Sequence, residues 1–483
     1  MLFNSLHFLL FFAFTTLAYF SLPLRGRWVL LLIASCYFYM AFIPAYLLIL
    51  GGVILIDYVA GIYIEQSQGA RRKLLLVVSL IANIGLLVFF KYYDFFNEQL
   101  TLMLHSFGKE NPIPMMGELL PGILLPIGLS FHTFQSISYT IEVYRGNQVA
   151  ERNLGIYALY VLFYPQLVAG PIERPQNVLH QFRYFHAFDW VRVRHGLLQM
   201  AGGFIKKVVI ADRMALVVDP AFSHATTTGS STLLLAAVFY SIQIYCDFSG
   251  YTDIAIGAGN VLGIKMMQNF NMPYLAASIS DFWRRWHISL STWFRDYVYI
   301  PLGGNRRSAP RTYLNTFIIF GLSGLWHGAD WKFIIWGLLH GFYLVVGQLW
   351  SKQSPITPAS PQVKYKQNSF SSVNLGHLTN QFLTFTLVTL TWVFFRANTT
   401  GDAFMILRKI LSFNYTEPIQ AAIQPAELVF CFLLMACLLV ENRWISFIKQ
   451  ADNRAFWIAI PVLVFICYFF GVFTANQFIY FQF

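Results

Sequence analysis

Only 11% of the 483 residues are charged, where an average soluble protein carries about 25%. A water-exposed surface of the usual kind is therefore excluded. Acid is scarcer than base: 22 Asp and Glu stand against 33 Lys and Arg, a net charge of +11. Cysteine is scarce too. Cys36, Cys246, Cys431, Cys437 and Cys467 all sit inside apolar runs without disulfide or metal-ligand spacing, so neither a disulfide framework nor a metal site is expected. P-loops, GxGxxG elements, EF-hand loops, heptads and internal repeats are absent, and nucleotide hydrolysis and dinucleotide binding have no support. Long polar stretches are missing except for SKQSPITPASPQVKYKQNSFSSVN (351–374), which reads as a cytoplasmic loop.

What the chain has in abundance is apolar length. Hydrophobic residues make up 57% of it and aromatics 18%, and runs long enough to cross a hydrocarbon core of about 30 Å recur throughout. Spans are expected at 2–20, 28–43, 46–64, 74–93, 121–141, 196–219, 232–256, 380–397, 428–440 and 455–475, with weaker segments at 154–171 and 313–350. The fold class is therefore all-α and polytopic, a single membrane domain over 1–483 with about 11 to 12 transmembrane helices. The first run has no basic residue ahead of it and is followed by Arg25 and Arg27, the reverse of a secretory signal, so it reads as a retained span with an external N-terminus. Arg71, Arg72 and Lys73 mark the cytoplasmic side, and the loop with Asp94, Glu98, Glu110 and Glu118 marks the outer one. Positive-inside bias and contact with anionic membrane lipid account for the basic balance, and no nucleic-acid partner is expected.

Two interruptions break this pattern. FYPQLVAGPIERP (163–175) has three prolines, which remove backbone donors and break a helix, so it reads as a re-entrant element lining a cavity. SISDFWRRWHISLSTWFRDYVYIPLGG (278–304) opens with a capping-box pattern, Ser278 and Asp281, and stops at Pro301, Gly303 and Gly304. One helix is expected between them. At about 100° per residue, Phe282, Trp283, Trp286, Leu290, Trp293, Phe294 and Tyr297 share one side, and Arg284, Arg285, Arg295 and Asp296 the other. A helix of that kind lies in the membrane interface. Arg306, Arg307 and Arg311 extend the basic run. Lipid headgroups could account for it; so could an anionic cytoplasmic ligand whose phosphate oxygens pair with guanidinium forks. His287 falls at the border of the apolar face, where a structural role is as natural as a catalytic one.

TYLNTFIIFGLSGLWHGADWKFIIWGLLHGF (312–342) follows. Its apolar arm up to Trp326 rises only about 22 Å, short of a full crossing, so the Trp326-His327-Gly328 tip is expected inside the bilayer with a cavity around it. An ionisable side chain at that depth is a functional candidate, with Asp330 or backbone carbonyls as partners. A neutral imidazole at His327 suits general-base work near cytoplasmic pH. His340 reads as an ordinary helix residue. QIYCDFSGYTDIAIG (243–257) sets Gln243, Asp247, Ser249 and Asp253 in an apolar span. Asp247 and Asp253 lack same-face spacing, which argues against a carboxylate or metal pair and leaves cavity-lining hydrogen-bonders.

Taken together, LPIGLSFHTFQSISYTIEVYRG (125–146), FYPQLVAGPIERP, GFIKKVVIADR (203–213), QIYCDFSGYTDIAIG, NFNMPYLAASISDFWRRWHISLSTWFRDYVYIPLGGNR (269–306) and GLSGLWHGADWKFIIWGLLHG (321–341) resemble the membrane-bound O-acyltransferase family. The resemblance is to its branch of alginate and peptidoglycan O-acetyltransferase membrane subunits. It implies a multi-helix fold with re-entrant and interfacial helices around a central funnel. It also implies catalytic roles for His327 and His287, in a cavity to which Trp326, Asp247, Ser249, Gln243 and Asp330 would contribute. Acetyl-CoA is the implied donor, with Arg284, Arg285, Arg295, Arg306 and Arg307 at its mouth and no metal. The acetyl group would cross the bacterial cytoplasmic (inner) membrane to a periplasmic acetyltransferase or esterase-like partner, which acetylates a polysaccharide.

The C-terminal ANQFIYFQF (475–483) is similar to the aromatic tail of a small accessory peptide in teichoic-acid D-alanylation, which makes the Tyr480 hydroxyl a candidate acyl relay. An aromatic belt at the membrane interface is the plainer reading of the tail. Before residue 120 and through 351–374 the resemblance carries nothing over. The alternatives are a donor borne on a phosphopantetheine carrier protein, a non-catalytic scaffold for a periplasmic enzyme and, from broken helices alone, a transporter or flippase.

Overall fold

In a computed structural model the described residues are 1–41, 43–119, 128–167, 170–351, 375–473 and 478, and they form helices joined by turns and irregular segments, with no strand among them. Tyr480 and all but the first residue of the polar loop 351–374 lie outside them. Seven of the described helices are long and apolar enough to cross a membrane: Tyr46–Gln66, Gly69–Ser106, Ser230–Leu262, Trp331–Trp350, Leu375–Arg396, Pro425–Gln450 and Asn453–Phe470. Other apolar helices fall short in length, such as Leu6–Ser21 with 16 residues and Leu24–Met40 with 17. The described residues group into two compact units, 1–196 with 258–266, and 197–257 with 267–483.

In the first unit, Asp57 is buried within a membrane span, where a bare carboxylate would be costly. Ser79 Oγ donates to its Oδ1 at 2.7 Å and Asn83 Nδ2 to both oxygens at 2.9 Å, side chains supplied by the next helix. In the proline-broken segment, groups of the described residues 163–167 and 170–175 are likewise bonded by protein around them. Tyr164 N donates to Ser35 Oγ at 3.1 Å, Gln166 Nε2 to the Tyr160 carbonyl at 2.7 Å, and Tyr160 OH to the Glu173 carbonyl at 2.9 Å.

The second unit holds the two segments that the sequence singled out. Ala309–His327 and Trp331–Ser351 form the expected antiparallel hairpin. Glycine is why its arms can touch. A Cβ at Gly324 would run into the Phe333 carbonyl, one at Gly337 into the Phe320 carbonyl, and one at Gly328 into the Phe333 ring. The turn between the arms is closed by Asp330, whose Oδ1 accepts from the Lys332 N–H at 3.0 Å and caps the start of the second arm.

The segment 278–300 departs from the single helix expected. It is two short helices, Ile279–Arg285 and Ile288–Phe294, followed by a π-helical turn, Arg295–Tyr299. Ser278 does cap the first, accepting from the Asp281 N–H at 3.1 Å, and the chain turns at Gly303 and Gly304, both at positive φ. The break falls on His287, at φ 43° and ψ 54° in the left-handed region. Asn269 holds it there. Its carbonyl accepts from Ile288 N at 2.9 Å, and its Oδ1 accepts from Ser289 N at 3.2 Å and Ser289 Oγ at 2.8 Å. The aromatic face is also turned inward rather than to the membrane interface. Trp286 is buried against Phe282 (5.5 Å between ring centroids), Phe270 (5.1 Å) and Trp392 (5.1 Å). Aromatic pairs of this kind contribute about 0.5–1.5 kcal/mol each beyond the area they bury.

Candidate active site

The break and the hairpin tip bring the two histidines of the sequence reading into one aromatic cluster. The Trp326 ring lies 6.1 Å from that of His287 and 4.8 Å from that of His327. Phe248 packs on His287 from the Ser230–Leu262 helix at 4.7 Å. Trp336 and Phe395 close on His327 at 5.1 and 5.2 Å. His287 is 0% exposed and His327 4%. Burial pushes His287, which lies outside the long apolar helices, down to about 3, so its ring is neutral at physiological pH.

A cleft of about 120 Å³ opens between the broken segment and the hairpin, lined by Ser280, Trp283, Arg284, Ile288, Leu290, Ser291, Thr292, Phe294, Arg295 and Tyr299 on one side and by Thr316, Ile319, Phe320, Ser323 and Leu344 on the other. Thr316, Ile319, Phe320 and Ser323 follow one face of the first arm, and the next position on that face, one turn beyond Ser323, is His327. On the opposite wall Ile288 is the neighbour of His287. The cleft thus runs along the hairpin toward the histidine cluster without including either ring.

Of the five arginines singled out, Arg284 and Arg295 line this cleft. Arg295 is braced by Asp296, with Nε to Oδ1 at 2.6 Å. Arg285 is tied back to Asp281 at 3.0 Å, one helical turn away. Arg306 and Arg307 are exposed beyond the glycine turn and do not line it.

The remaining candidates are more dispersed. Trp326 lies in the cluster itself. Asp330 caps the second hairpin arm and also accepts from Thr400 Oγ1 at 3.4 Å. Gln243 Oε1 and Ser249 Oγ are buried without a partner among the described residues, as groups facing internal water or a ligand would be. Asp247 belongs to a buried ion pair: Lys207 Nζ lies 2.5 Å from its Oδ1 and 2.9 Å from Asp212 Oδ1. Asp253 pairs with the preceding lysine, Lys206, at 2.8 Å, and Lys206 also reaches Glu441 at 2.5 Å. The two aspartates are thus held by different cations, and the two lysines share one π-helical stretch, Ile205–Ala211.

His340 is hydrogen-bonded on both sides. Trp283 Nε1 donates to its Nδ1 at 3.3 Å, so Nε2 carries the proton and meets Thr391 Oγ1 at 3.0 Å. Sequence reasoning missed Asn269, Lys206, Lys207, Trp336 and Phe395. The signal available for the lysines was two adjacent cations in an apolar stretch; for Asn269 there was none. Among the described residues no three His, Cys, Asp or Glu side chains gather as metal ligands.

Fold and site together define a multi-pass membrane protein in which a partly basic cleft lies near two buried imidazoles. Residues 153–390 match the MBOAT, membrane-bound O-acyltransferase family. The chain is 40% identical over 424 residues to the probable alginate O-acetylase AlgI of Pseudomonas aeruginosa, covering 85% of this chain and 76% of the relative. It is 36% identical over 411 residues to a peptidoglycan O-acetyltransferase of Helicobacter pylori, covering 80% and 73%. A teichoic acid D-alanyltransferase of Bacillus subtilis is 31% identical over 244 residues, 47% of this chain and 60% of the relative. The chain belongs to the membrane-bound O-acyltransferase family, and it is an O-acyltransferase.

Proposed function

We propose that this O-acetyltransferase sits in a bacterial inner membrane, takes acetyl from cytoplasmic acetyl-CoA, and passes it to a periplasmic acetyltransferase or esterase-like partner that O-acetylates a polysaccharide, an alginate-like polymer or peptidoglycan. The observation that supports this reading is the cleft whose hairpin wall runs from Thr316 to Ser323, one helical turn before His327. Its largely apolar lining suits a pantetheine arm, and Arg284 and Arg295 suit the phosphates of the nucleotide end. Relatives named for alginate and peptidoglycan O-acetylation support the acyl group and the acceptor class.

In this reading His327 takes the proton of an acceptor hydroxyl as the oxygen attacks the thioester carbonyl; the C–S bond then breaks and the thiolate leaves with that proton. His287, neutral and fixed at the break, shapes the other side of the cluster. Tyr480 is proposed as the outgoing acyl relay; in support, Phe478, two residues before it, is buried against Phe248 at 5.7 Å and Tyr251 at 4.4 Å. A carrier protein would present the same phosphopantetheine arm, and a comparison of acetyl-CoA with acetyl-carrier protein as donors separates the two. Family membership displaces the transporter and scaffold readings.

The test is acetyl-CoA cleavage by the purified protein. His327→Ala is expected to lower turnover by about 10²–10⁴-fold, the range for loss of a positioned acid-base group. Wild-type turnover in that variant would rule His327 out.

A further inference from the structure

Trp336 is 0% exposed, and its indole N–H has no acceptor among the described residues. An indole nitrogen can only donate, and a buried donor left unmade is a penalty that calls for an explanation. The ring is not free to swing its N–H out to water. It stacks on Trp392 at 5.5 Å and 22°, and Phe395 and Trp283 pack against it at 5.3 and 5.8 Å. His340, 5.1 Å away, offers no acceptor, because its Nδ1 is taken by Trp283 and its Nε2 by Thr391. The same indole meets the His327 imidazole perpendicularly at 5.1 Å. It also packs against Trp283, which lines the cleft.

We infer that the Trp336 N–H is the donor that binds the acyl oxygen during transfer at His327. The inference rests on the proposal that His327 acts on a thioester in this cluster. When the acceptor oxygen adds to the carbonyl carbon, a C–O bond forms and the carbonyl π pair moves onto oxygen. That oxyanion accepts from Trp336. As it collapses, the C=O bond is restored, the C–S bond breaks, and the thiolate takes the proton held by His327. A donor fixed in a dry aromatic cage needs no reorganisation when the charge appears, which is the condition under which such a donor contributes most. In this inference the resting N–H is unpaired because its acceptor arrives with the acyl donor and becomes a strong one only when charge develops on it.

The experiment replaces the indole by an isostere without the N–H, Trp336→β-(3-benzothienyl)alanine, and compares kcat and donor KM for acetyl thioester cleavage with those of wild type and His327→Ala. Loss of one such donor lowers kcat by about 10²–10³-fold, with donor KM within about threefold of wild type, since the ground-state carbonyl carries little of the charge. Trp336→Phe, which also removes the N–H while keeping an aromatic filler, should fall in step with the isostere. A kcat within about threefold of wild type for the isostere, beside an inactive His327→Ala, would overturn this inference and leave the proposed function standing. Full turnover by His327→Ala would remove the reading beneath it, and the inference as well.

Discussion

The hairpin 309–351 and the broken segment 278–300 are built from the same ingredients, and they solve opposite problems. Each carries indoles and one histidine of the cluster. In the hairpin, glycines let two straight helices approach until carbonyl and ring are in contact, and the histidine ends a regular helix. In the other segment the histidine is itself the bend, at φ 43°, and a side chain from another stretch holds it there. One histidine is placed by close packing of its own neighbours; the other is placed by backbone strain and an external clamp. A residue other than glycine in the left-handed region costs about 1–2 kcal/mol, so that strain must be offset by the three Asn269 contacts, each worth about 0.5–1.5 kcal/mol net.

The largest effect is expected in the hairpin. Gly324→Val inserts a branched side chain where backbone already stands, and should cost about 3 kcal/mol or more, read as a fall in thermal stability of the detergent-solubilised protein. Wild-type stability in that variant would mean that the arms are not held by backbone contact. Asn269→Ala should cost less, about 1–3 kcal/mol, for leaving buried Ser289 donors unpaired, and should lower thioester turnover through His287.

The smallest and sharpest contrast is at the bend itself. His287→Gly and His287→Ala both remove the imidazole, but only glycine relieves the left-handed backbone, so His287→Gly should be the more stable by about 1 kcal/mol. Equal stabilities would show that the left-handed bend is absent in solution.

The same contrast explains how much of the molecule could be read from its sequence. The turn at Trp326-His327-Gly328 was legible because its signal is local, but the first arm is longer than the sequence suggested, 19 residues from Ala309 to His327, and the second, Trp331–Trp350, is long and apolar enough to cross a membrane. The helical and membrane character was legible from composition alone. The break at His287 was not, because helical periodicity runs smoothly through it and the residue that imposes it is 20 positions away from Ser289 in the chain. The aromatic side chains were read as one face of one helix, whereas the break at His287 divides them between two, and nothing local distinguishes rings turned to lipid from rings turned to Phe270 and Trp392. The arginine run was visible as charge, yet only Arg284 and Arg295 line the cleft, because the break and the glycine turn direct the others elsewhere. Asp247 and Asp253 were rightly separated by spacing, while their partners Lys207 and Lys206 come from another helix, a relation that no single-segment pattern encodes.

The most direct measurement is the structure of the protein with a non-hydrolysable acetyl-CoA analogue. The pantetheine arm should lie along Thr316, Ile319, Phe320 and Ser323, with phosphates at Arg284 or Arg295 and the acetyl group at His327 beside Trp336. An analogue seated elsewhere, with His327 still closed off behind Trp326, Trp336 and Phe395, would contradict the account.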